Sequence, residues 1–338
     1  MLRNGCLVAG LATVLITALT TPGHAADTSS NPAVQDIDWT GQRVMNMAHS
    51  GGELEAPTNT MYAFKRAVAL GSDMIELDVQ STADDELMVM HNAEVDETTN
   101  GTGRVVDMTA AQVQALDAAH YFVPGLGTTP DQPADAYPFR GVRTGDRQPP
   151  AGYTADDFAI PTLADVFERF PDTPINIEIK GTSTLDVASY LRTGSLLAEF
   201  LNDSGRTDII VTSFNDEAVS SFHDQAPQIG LAPGTVQLAA YFFTGAKPID
   251  GTVALQIPVT LYGTITVATP QFIARAHDDG YAVHVWFSGT GPEDAASYGS
   301  LVDACADALM PARPELFEQV LDDRGIVRPG QPGIDPCG

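Results

Sequence analysis

The sequence predicts an α/β protein built as a (β/α)8 TIM barrel, and three observations carry that expectation. Short apolar strands alternate with helical stretches along most of the chain, near eight pairs, which is the pattern of a parallel sheet. The repeating part runs over about 270 residues, close to the roughly 250 of such barrels. No Gly-x-Gly-x-x-Gly fingerprint follows any strand. The doubly wound open sheet, the other arrangement this alternation permits, therefore lacks its dinucleotide-binding turn.

The elements follow in chain order. Met1 to Ala25 has the plan of a secretory signal peptide: Arg3 supplies the positive start, Cys6 to Leu19 is an apolar run too short to span a bilayer comfortably, and Gly23 and Ala25 offer small residues for cleavage. An uncleaved anchor is the other reading of that run. Residues 26–40 are polar and read as a flexible leader. The barrel domain is expected over 41–325. Its strands are Val44–His49, Met74–Val79, Leu87–His91, Ile175–Lys180, Ile209–Ser213, Val253–Ile257, Ala282–Trp286 and Ala308–Met310. Helices are expected at Thr60–Leu70, Ala110–Leu116, Leu163–Phe170, Leu185–Leu201, Asp216–Asp224, Pro270–Asp279 and Pro314–Asp322. The rhythm breaks over 122–158, rich in Pro, Gly, Asp and Thr, with Tyr137, Phe139, Tyr153, Arg140, Arg143 and Arg147. A long irregular segment inside a compact domain is usually functional or disordered, and this one is expected to lie over the catalytic mouth. Residues 326–338 form a Pro/Gly-rich tail.

Composition bounds the function. The 338 residues include 44 Asp and Glu against 17 Lys and Arg, a formal charge of −27, with 43% apolar and 18% charged residues. That is a globular composition. The acidic excess argues against nucleic acid as a partner, which needs a basic face, and against docking through basic patches to an anionic membrane. No segment after the signal is long and apolar enough for stable membrane insertion. The expected location is secreted or in the cell envelope. There, Cys305 and Cys337 remain as an even pair in an oxidising compartment, and a bridge between them would pin the tail to the body. Spacing alone leaves two free thiols as the alternative.

The strands are decorated in a way that points to chemistry. Side chains alternate faces along a strand. In Met74–Val79, Ile75, Leu77 and Val79 share one face and Met74, Glu76 and Asp78 the other; in Ile175–Lys180, three isoleucines oppose Asn176, Glu178 and Lys180. In a barrel the second set points inward, with its charges converging at the C-terminal mouth. Carboxylates crowded in low dielectric repel one another unless a cation lies between them. An all-oxygen donor set suits Ca2+ or Mg2+ rather than Zn2+. Glu76, Asp78 and Glu178 are thus candidate ligands, with separate ion-paired carboxylates as the plainer reading. His49 and His91 each close a strand beside these acids and fit an acid–base pair. His120, His223, His277 and His284 are read as structural.

Together these stretches resemble the glycerophosphodiester phosphodiesterase family. The residues that carry the likeness are Ala48-His49-Ser50-Gly51-Gly52, Pro57-Thr58-Asn59-Thr60, Ile75-Glu76-Leu77-Asp78-Val79, Met90-His91-Asn92, Thr98 to Gly103, Ile160-Pro161-Thr162-Leu163, Asn176 to Lys180 and Ser213-Phe214-Asn215. They span about Val44 to Val320. The resemblance implies a calcium- or magnesium-dependent hydrolase, of the secreted bacterial type, that cleaves glycerophosphodiesters such as glycerophosphocholine to sn-glycerol 3-phosphate and an alcohol. It implies Glu76, Asp78 and Glu178 on the metal, His49 and His91 as acid and base, Lys180 on the phosphate and Trp286 on the pocket wall; packing is an equal reading for Trp286.

The chain departs from the family pattern at Ser50, where the family has arginine, and at Thr58, where it has glutamate. One cation and one acid are lost together, so altered substrate handling or weaker metal affinity is expected. Arg140 or Arg143 of the insertion is expected to restore the lost positive charge from above. A rim contact is also altered at Leu309-Met310-Pro311-Ala312-Arg313-Pro314, where the family tends to have Thr-Asp-Arg-Pro. Two other functions stay open. One is a lysophospholipase D-like phosphodiesterase that yields a cyclic phosphate, with Phe122, Tyr137 and Phe139 as its acyl groove. The other is a non-catalytic phosphodiester-binding protein on a decayed site. Product analysis separates the first, and saturable binding without turnover would mark the second.

Overall fold

The computed structural model describes residues 37–338; the signal segment and most of the expected leader lie outside the described residues. Chain order is β1 (Met45–Ala48), α1 (Met61–Leu70), β2 (Met74–Ser81), β3 (Leu87–Val89), α2 (Ala110–Gln114), α3 (Leu163–Arg169), β4 (Ile175–Ile179), α4 (Val187–Ser204), β5 (Ile209–Thr212), α5 (Asp216–Gln225), β6 (Gly230–Leu231), α6 (Thr235–Thr244), β7 (Ala254–Pro258), α7 (Pro270–Asp278), β8 (Ala282–Trp286), α8 (Ala295–Asp303), β9 (Ala308–Met310) and α9 (Pro314–Arg324). The parallel ladder runs β6-β5-β4-β2-β1-β9-β8-β7. A parallel bridge between Leu231 and Thr252 brings its two edges together, so the eight strands form a nearly closed barrel.

Two expectations about strands are corrected. Leu87–Val89 is not a barrel strand: it pairs antiparallel with the far end of β2, Val79 opposite Val89 and Ser81 opposite Leu87. The turn between them is closed by Thr82, whose amide donates to the Glu86 carbonyl while its hydroxyl accepts from the Glu86 amide. The eighth barrel strand is instead Gly230–Leu231. Alternation cannot distinguish a hairpin return from a parallel strand, and two residues are too short to alternate. Helices α6 and α8 were also absent from the expectation. α6 (TVQLAAYFFT) is apolar nearly all round, and α8 carries Gly299 in its interior.

Packing follows the alternation. The outward residues Ile75, Leu77, Val79, Ile175, Ile177 and Ile179 join α1, α3, α4 and α5 in one core cluster. Leu255, Ile257, Val283, Val285 and Leu309 join residues of α6 to α9 in a second. Inside the barrel the floor is apolar: Met45, Met47, Met74, Ile210, Ala254, Ala282 and Ala308, closed from below by Trp39. Trp39 is only 5% exposed, so the leader expected up to residue 40 ends earlier. Above the floor lies a polar layer. Glu76 is level with Asn176, and Gln256 with His284; Gln256 Nε2 donates to Asn176 Oδ1 at 2.5 Å. His284 is wholly buried, and burial pushes its pKa down to about 3, so it is a neutral core residue. Two residues further up the strands stand Asp78, Glu178 and Trp286, at the C-terminal mouth.

The 122–158 insertion packs its aromatic side chains onto α1. It opens with a hairpin, Phe122–Val123 against Gly127–Thr128. Tyr62 of α1 stacks on Phe158 at 4.7 Å and meets Phe139 and Tyr153 at 4.9 and 4.5 Å. At the opposite end of the barrel, Cys305 and Cys337 are joined by a disulfide. Arg43 pairs with Asp335, and Arg328 with Glu318 and Asp322, so the 326–338 tail is held against the barrel's underside. Among the described residues, no helix is long and apolar enough to cross a membrane.

Candidate active site

The site begins with a tight turn. β1 delivers His49, and Ser50, Gly51 and Gly52 follow at φ 47°, 81° and 96°. The glycines are required here. A Cβ on Gly51 would lie 2.6 Å from Ala63 Cβ, and one on Gly52 would lie 2.7 Å from Pro314. The turn thus nests between α1 and α9. It aims the Ser50 amide into the barrel, where it donates to Glu76 Oε2 at 2.7 Å. Asn59, also left-handed at φ 54°, donates from Nδ2 to Asp78 Oδ2 at 2.9 Å. The Ser50 hydroxyl reaches the same oxygen at 3.4 Å. Both loop residues act as donors to the buried acids.

β2 and β4 run side by side with Asp78 level with Glu178. One carboxylate oxygen from each of Glu76, Asp78 and Glu178 lies within 4.8 Å of the others. Lys180 rises from the end of β4 to meet Asp78 Oδ1 at 3.1 Å and Glu178 Oε1 at 2.6 Å. The three expected ligands and the expected phosphate contact therefore share one cluster. The hairpin made by β3 turns the chain back so that the Met90 amide donates to the Asp78 carbonyl. That return carries His91 over the mouth, its Nδ1 2.6 Å from Asn92 Oδ1. His49, Glu53, Thr58, His91, Thr128 and Ser288 line a common cavity of about 440 Å3. Thr128 and Pro130 come from the insertion, which thus lies over part of the mouth. A larger cavity, about 800 Å3, opens beside Trp39, Arg43 and Asp307. It is at the N-terminal end of the strands, where barrels carry stability rather than chemistry.

The electrostatics describe an acid-rich well. Burial pushes Glu76 up to about 8, with His49 pulling down and Asp78 and Glu178 pushing up. Asp78 is buried too, yet Lys180 and His91 hold it well below the usual carboxylate range. Burial opposes the charge on Lys180, but Asp78 and Glu178 outweigh it and raise that ammonium. For His49, burial is again overcome, by Glu76 and Glu53, and its pKa is pushed up to about 10. A buried carboxylate raised this far has too little positive charge around it. The donor set is all oxygen, so the residues fit a hard divalent cation.

Trp286 is half-buried at the end of β8, edge-to-face with Phe214 at 5.9 Å. Phe214 is 55% exposed, and Lys180 Nζ lies 5.6 Å from its ring. Asn59 and Phe214 lie in stretches that carry the family likeness, but sequence reasoning assigned neither of them, nor Glu53, a place in the site. For Phe214 the usable signal was an apolar residue placed directly after a strand at the mouth. For Asn59 it was the Pro57-Thr58-Asn59-Thr60 stretch; for Glu53 none exists, because its position depends on the turn after β1.

Two expectations about the insertion are corrected. Arg140 and Arg143 do not supply charge to the site. The Arg140 guanidinium lies 3.6 Å over the Tyr137 ring while its Nε donates to the His120 carbonyl. Arg143 donates twice to the Gln114 carbonyl and pairs with Asp156 at 2.7 Å. Both are committed to fastening the insertion to the chain just before it, where they satisfy half-buried backbone carbonyls. Nor does the insertion offer an acyl groove: Phe122 and Tyr137 are 2% and 1% exposed, and Phe139 lies in the aromatic cluster on Tyr62. At the altered rim, Arg313 reaches the Gly125 carbonyl at 3.5 Å.

Comparison with known proteins places this geometry. The model of the glycerophosphoryl diester phosphodiesterase family matches residues 49–304. A glycerophosphodiester phosphodiesterase of Caldanaerobacter subterraneus subsp. tengcongensis is 34% identical over 191 residues, 56% of this chain and 65% of the relative. One of Bacillus subtilis is 31% identical over 199 residues, 58% of this chain and 59% of the relative. The chain thus spans less than two thirds of the length of these curated relatives. Among solved structures, an Oleispira antarctica phosphodiesterase in complex with the product sn-glycerol-3-phosphate aligns over 83% of this chain and 96% of its own, with TM-score 0.59 at 20% identity. At that identity the likeness bears on the fold.

Proposed function

This chain belongs to the glycerophosphoryl diester phosphodiesterase family, and we propose that it hydrolyses glycerophosphodiesters, such as glycerophosphocholine, to sn-glycerol 3-phosphate and an alcohol with the help of a divalent cation. One observation carries the proposal: two histidines on the wall of one cavity at the mouth, with three carboxylates and a lysine gathered where their strands end. Family membership and the product bound by the Oleispira antarctica protein support the substrate class.

Each residue has a role that its position permits. Glu76, Asp78 and Glu178 would hold the cation, Ca2+ or Mg2+. When bound, it supplies Lewis acidity and positive charge toward a phosphate oxygen. Lys180 presents a fixed ammonium to the phosphate, a point charge suited to that contact. One of His49 and His91 takes a proton from the attacking water or hydroxyl, and the other gives one to the departing alcohol. Phe214 and Trp286 form an apolar wall beside Lys180. Ser50 keeps the backbone donor to Glu76 although it lacks the side-chain cation of the family pattern. The pattern over residues 1–25 and the Cys305–Cys337 bridge support an extracytoplasmic location, where disulfides persist.

The test is release of glycerol 3-phosphate and choline from glycerophosphocholine, after EDTA treatment and again with Ca2+ or Mg2+ restored. Cation-dependent release is expected, falling at least about 1000-fold in His49→Ala. A cyclic phosphate product would move the assignment to intramolecular attack. Saturable binding with no turnover under any cation would make the chain a binding protein.

A further inference from the structure

We propose that Glu53 is a positioning residue for His49: it accepts a hydrogen bond from Nδ1–H and so fixes Nε2 as the atom that exchanges protons at the mouth. The proposal rests on the phosphodiesterase reading above. Its geometry does not. Glu53 Oε1 lies 3.3 Å from His49 Nδ1, four residues along the same turn. Both side chains line the 440 Å3 cavity.

The turn that carries Glu53 is fixed on several sides. The Gly52 amide donates to the His49 carbonyl at 2.7 Å, and the Glu55 and Ala56 amides donate to the Gly52 carbonyl at 2.8 and 2.9 Å. The next residue, Leu54, donates its amide to the Ala312 carbonyl at 3.0 Å and accepts from the Gly125 amide at 2.7 Å. Gly125 belongs to the insertion hairpin, so the insertion clamps this turn from outside. Glu55, two residues on, serves structure. Its carboxylate accepts the amides of Glu315 and Leu316 at the start of α9 and pairs with Arg66. Glu53 has a different outlook: its side chain faces the cavity and its ion-pair partner is His49.

Chemistry explains why this matters. A neutral imidazole works as a proton carrier only when its other nitrogen is held in one tautomer, and a carboxylate on that nitrogen does so. His91 has an uncharged counterpart, the amide oxygen of Asn92. The two histidines therefore have different partners, one anionic and one neutral. Glu53 also stands on the wall that carries Ser50 and Thr58, the two positions where the family's charges are absent. A role as a fourth cation ligand is the competing account. Among the described residues, the oxygen cluster contains Glu76, Asp78 and Glu178 and not Glu53.

The experiment uses the mature chain and its Glu53→Gln and Glu53→Ala variants. It measures kcat and KM for glycerophosphocholine, Ca2+ affinity by calorimetry, and the His49 tautomer by 15N NMR of histidine-labelled, Ca2+-loaded protein at a pH where the His49 ring is neutral, with the His49 signals identified by their loss in His49→Asn. The proposal expects kcat to fall about 10–100-fold, with KM and Ca2+ affinity changed less than about twofold. It also expects the Nδ1–H tautomer of His49 to lose its dominance in Glu53→Ala and to persist in Glu53→Gln, whose amide oxygen still accepts from Nδ1–H. An unchanged tautomer in Glu53→Ala would overturn it. So would a Ca2+ affinity that falls in step with kcat, which would make Glu53 a ligand. If the wild-type chain turns over no phosphodiester, the functional reading fails, and the tautomer alone decides whether Glu53 positions His49.

Discussion

Lys180 is one of three lysines in the chain, and the other two are spent on ion pairs with Asp157 and Asp279. It bridges Asp78 and Glu178, so it neutralises part of the acid well while pointing a charge at the mouth. Removing one partner from a buried ionic cluster typically costs about 3–5 kcal/mol. Lys180→Met is therefore expected to lower the Tm of the EDTA-treated protein. A cation then relieves more repulsion than it does in wild type, so the Tm rise produced by Ca2+ should be larger in the variant. KM for the phosphodiester should rise by about tenfold as the phosphate loses its ammonium partner. Calorimetric scans with and without Ca2+ test this, and a Ca2+ shift no larger than wild type would contradict it.

At the scale of elements, the contact between β1 and α9 is tuned by acid. Asn46 donates to the Pro314 carbonyl at 3.0 Å and to Glu318 Oε1 at 2.7 Å, tying the first strand to the last helix. Burial pushes Glu318 from 4.5 up to about 7, against the pull of Asn46 and Arg328. Asp73, beside it, is pushed up to about 6 by burial. Between about pH 4.5 and 7, Glu318 holds its proton more fully in the folded chain than in the unfolded one. This carboxyl's stabilising contribution is therefore whole below about pH 4.5 and lost as the pH rises through about 7. In Glu318→Gln the decline across that window should shrink, by up to about 3 kcal/mol. Urea titrations at several pH values measure it; an unaltered slope would show that Glu318 stays ionised. The same strand–helix junction seats the Ser50–Gly52 turn, so the element that closes the barrel also aims the site's backbone donor.

Over the whole molecule, stability and chemistry sit at opposite ends. The disulfide, the Arg43–Asp335 pair and the tail lie under the barrel, while His49, His91 and the carboxylates lie at the mouth. The bridge closes a loop with a sequence separation of 32, for which chain entropy gives about 3–4 kcal/mol. Replacing both Cys305 and Cys337 by serine is expected to lower stability by about that amount and to leave kcat at 25 °C unchanged. Denaturation midpoints and turnover measured on the same preparation check both halves. A large loss of kcat below the unfolding transition would show that the two ends are coupled.

The periodicity of two along Met74–Val79 and Ile175–Lys180 was enough, by itself, to put three carboxylates and Lys180 on the inner face of a barrel, because alternation is a property of the extended chain. His49 directly after β1 and the run of short motifs were legible for the same reason: they are local. What only the tertiary structure decided is what comes together across distance. Gly230–Leu231 is a barrel strand because β5 and Thr252 flank it, not because its two residues prefer extension. Leu87–Val89 folds back on β2 because a turn at Thr82 to Glu86 reverses it. Arg140 and Arg143 look free in sequence, but half-buried backbone carbonyls, Tyr137 and Asp156 take them up. Glu53 meets His49, and Asn59 meets Asp78, through a turn whose positive φ angles and glycine contacts with α1 and α9 exist only once the barrel is assembled.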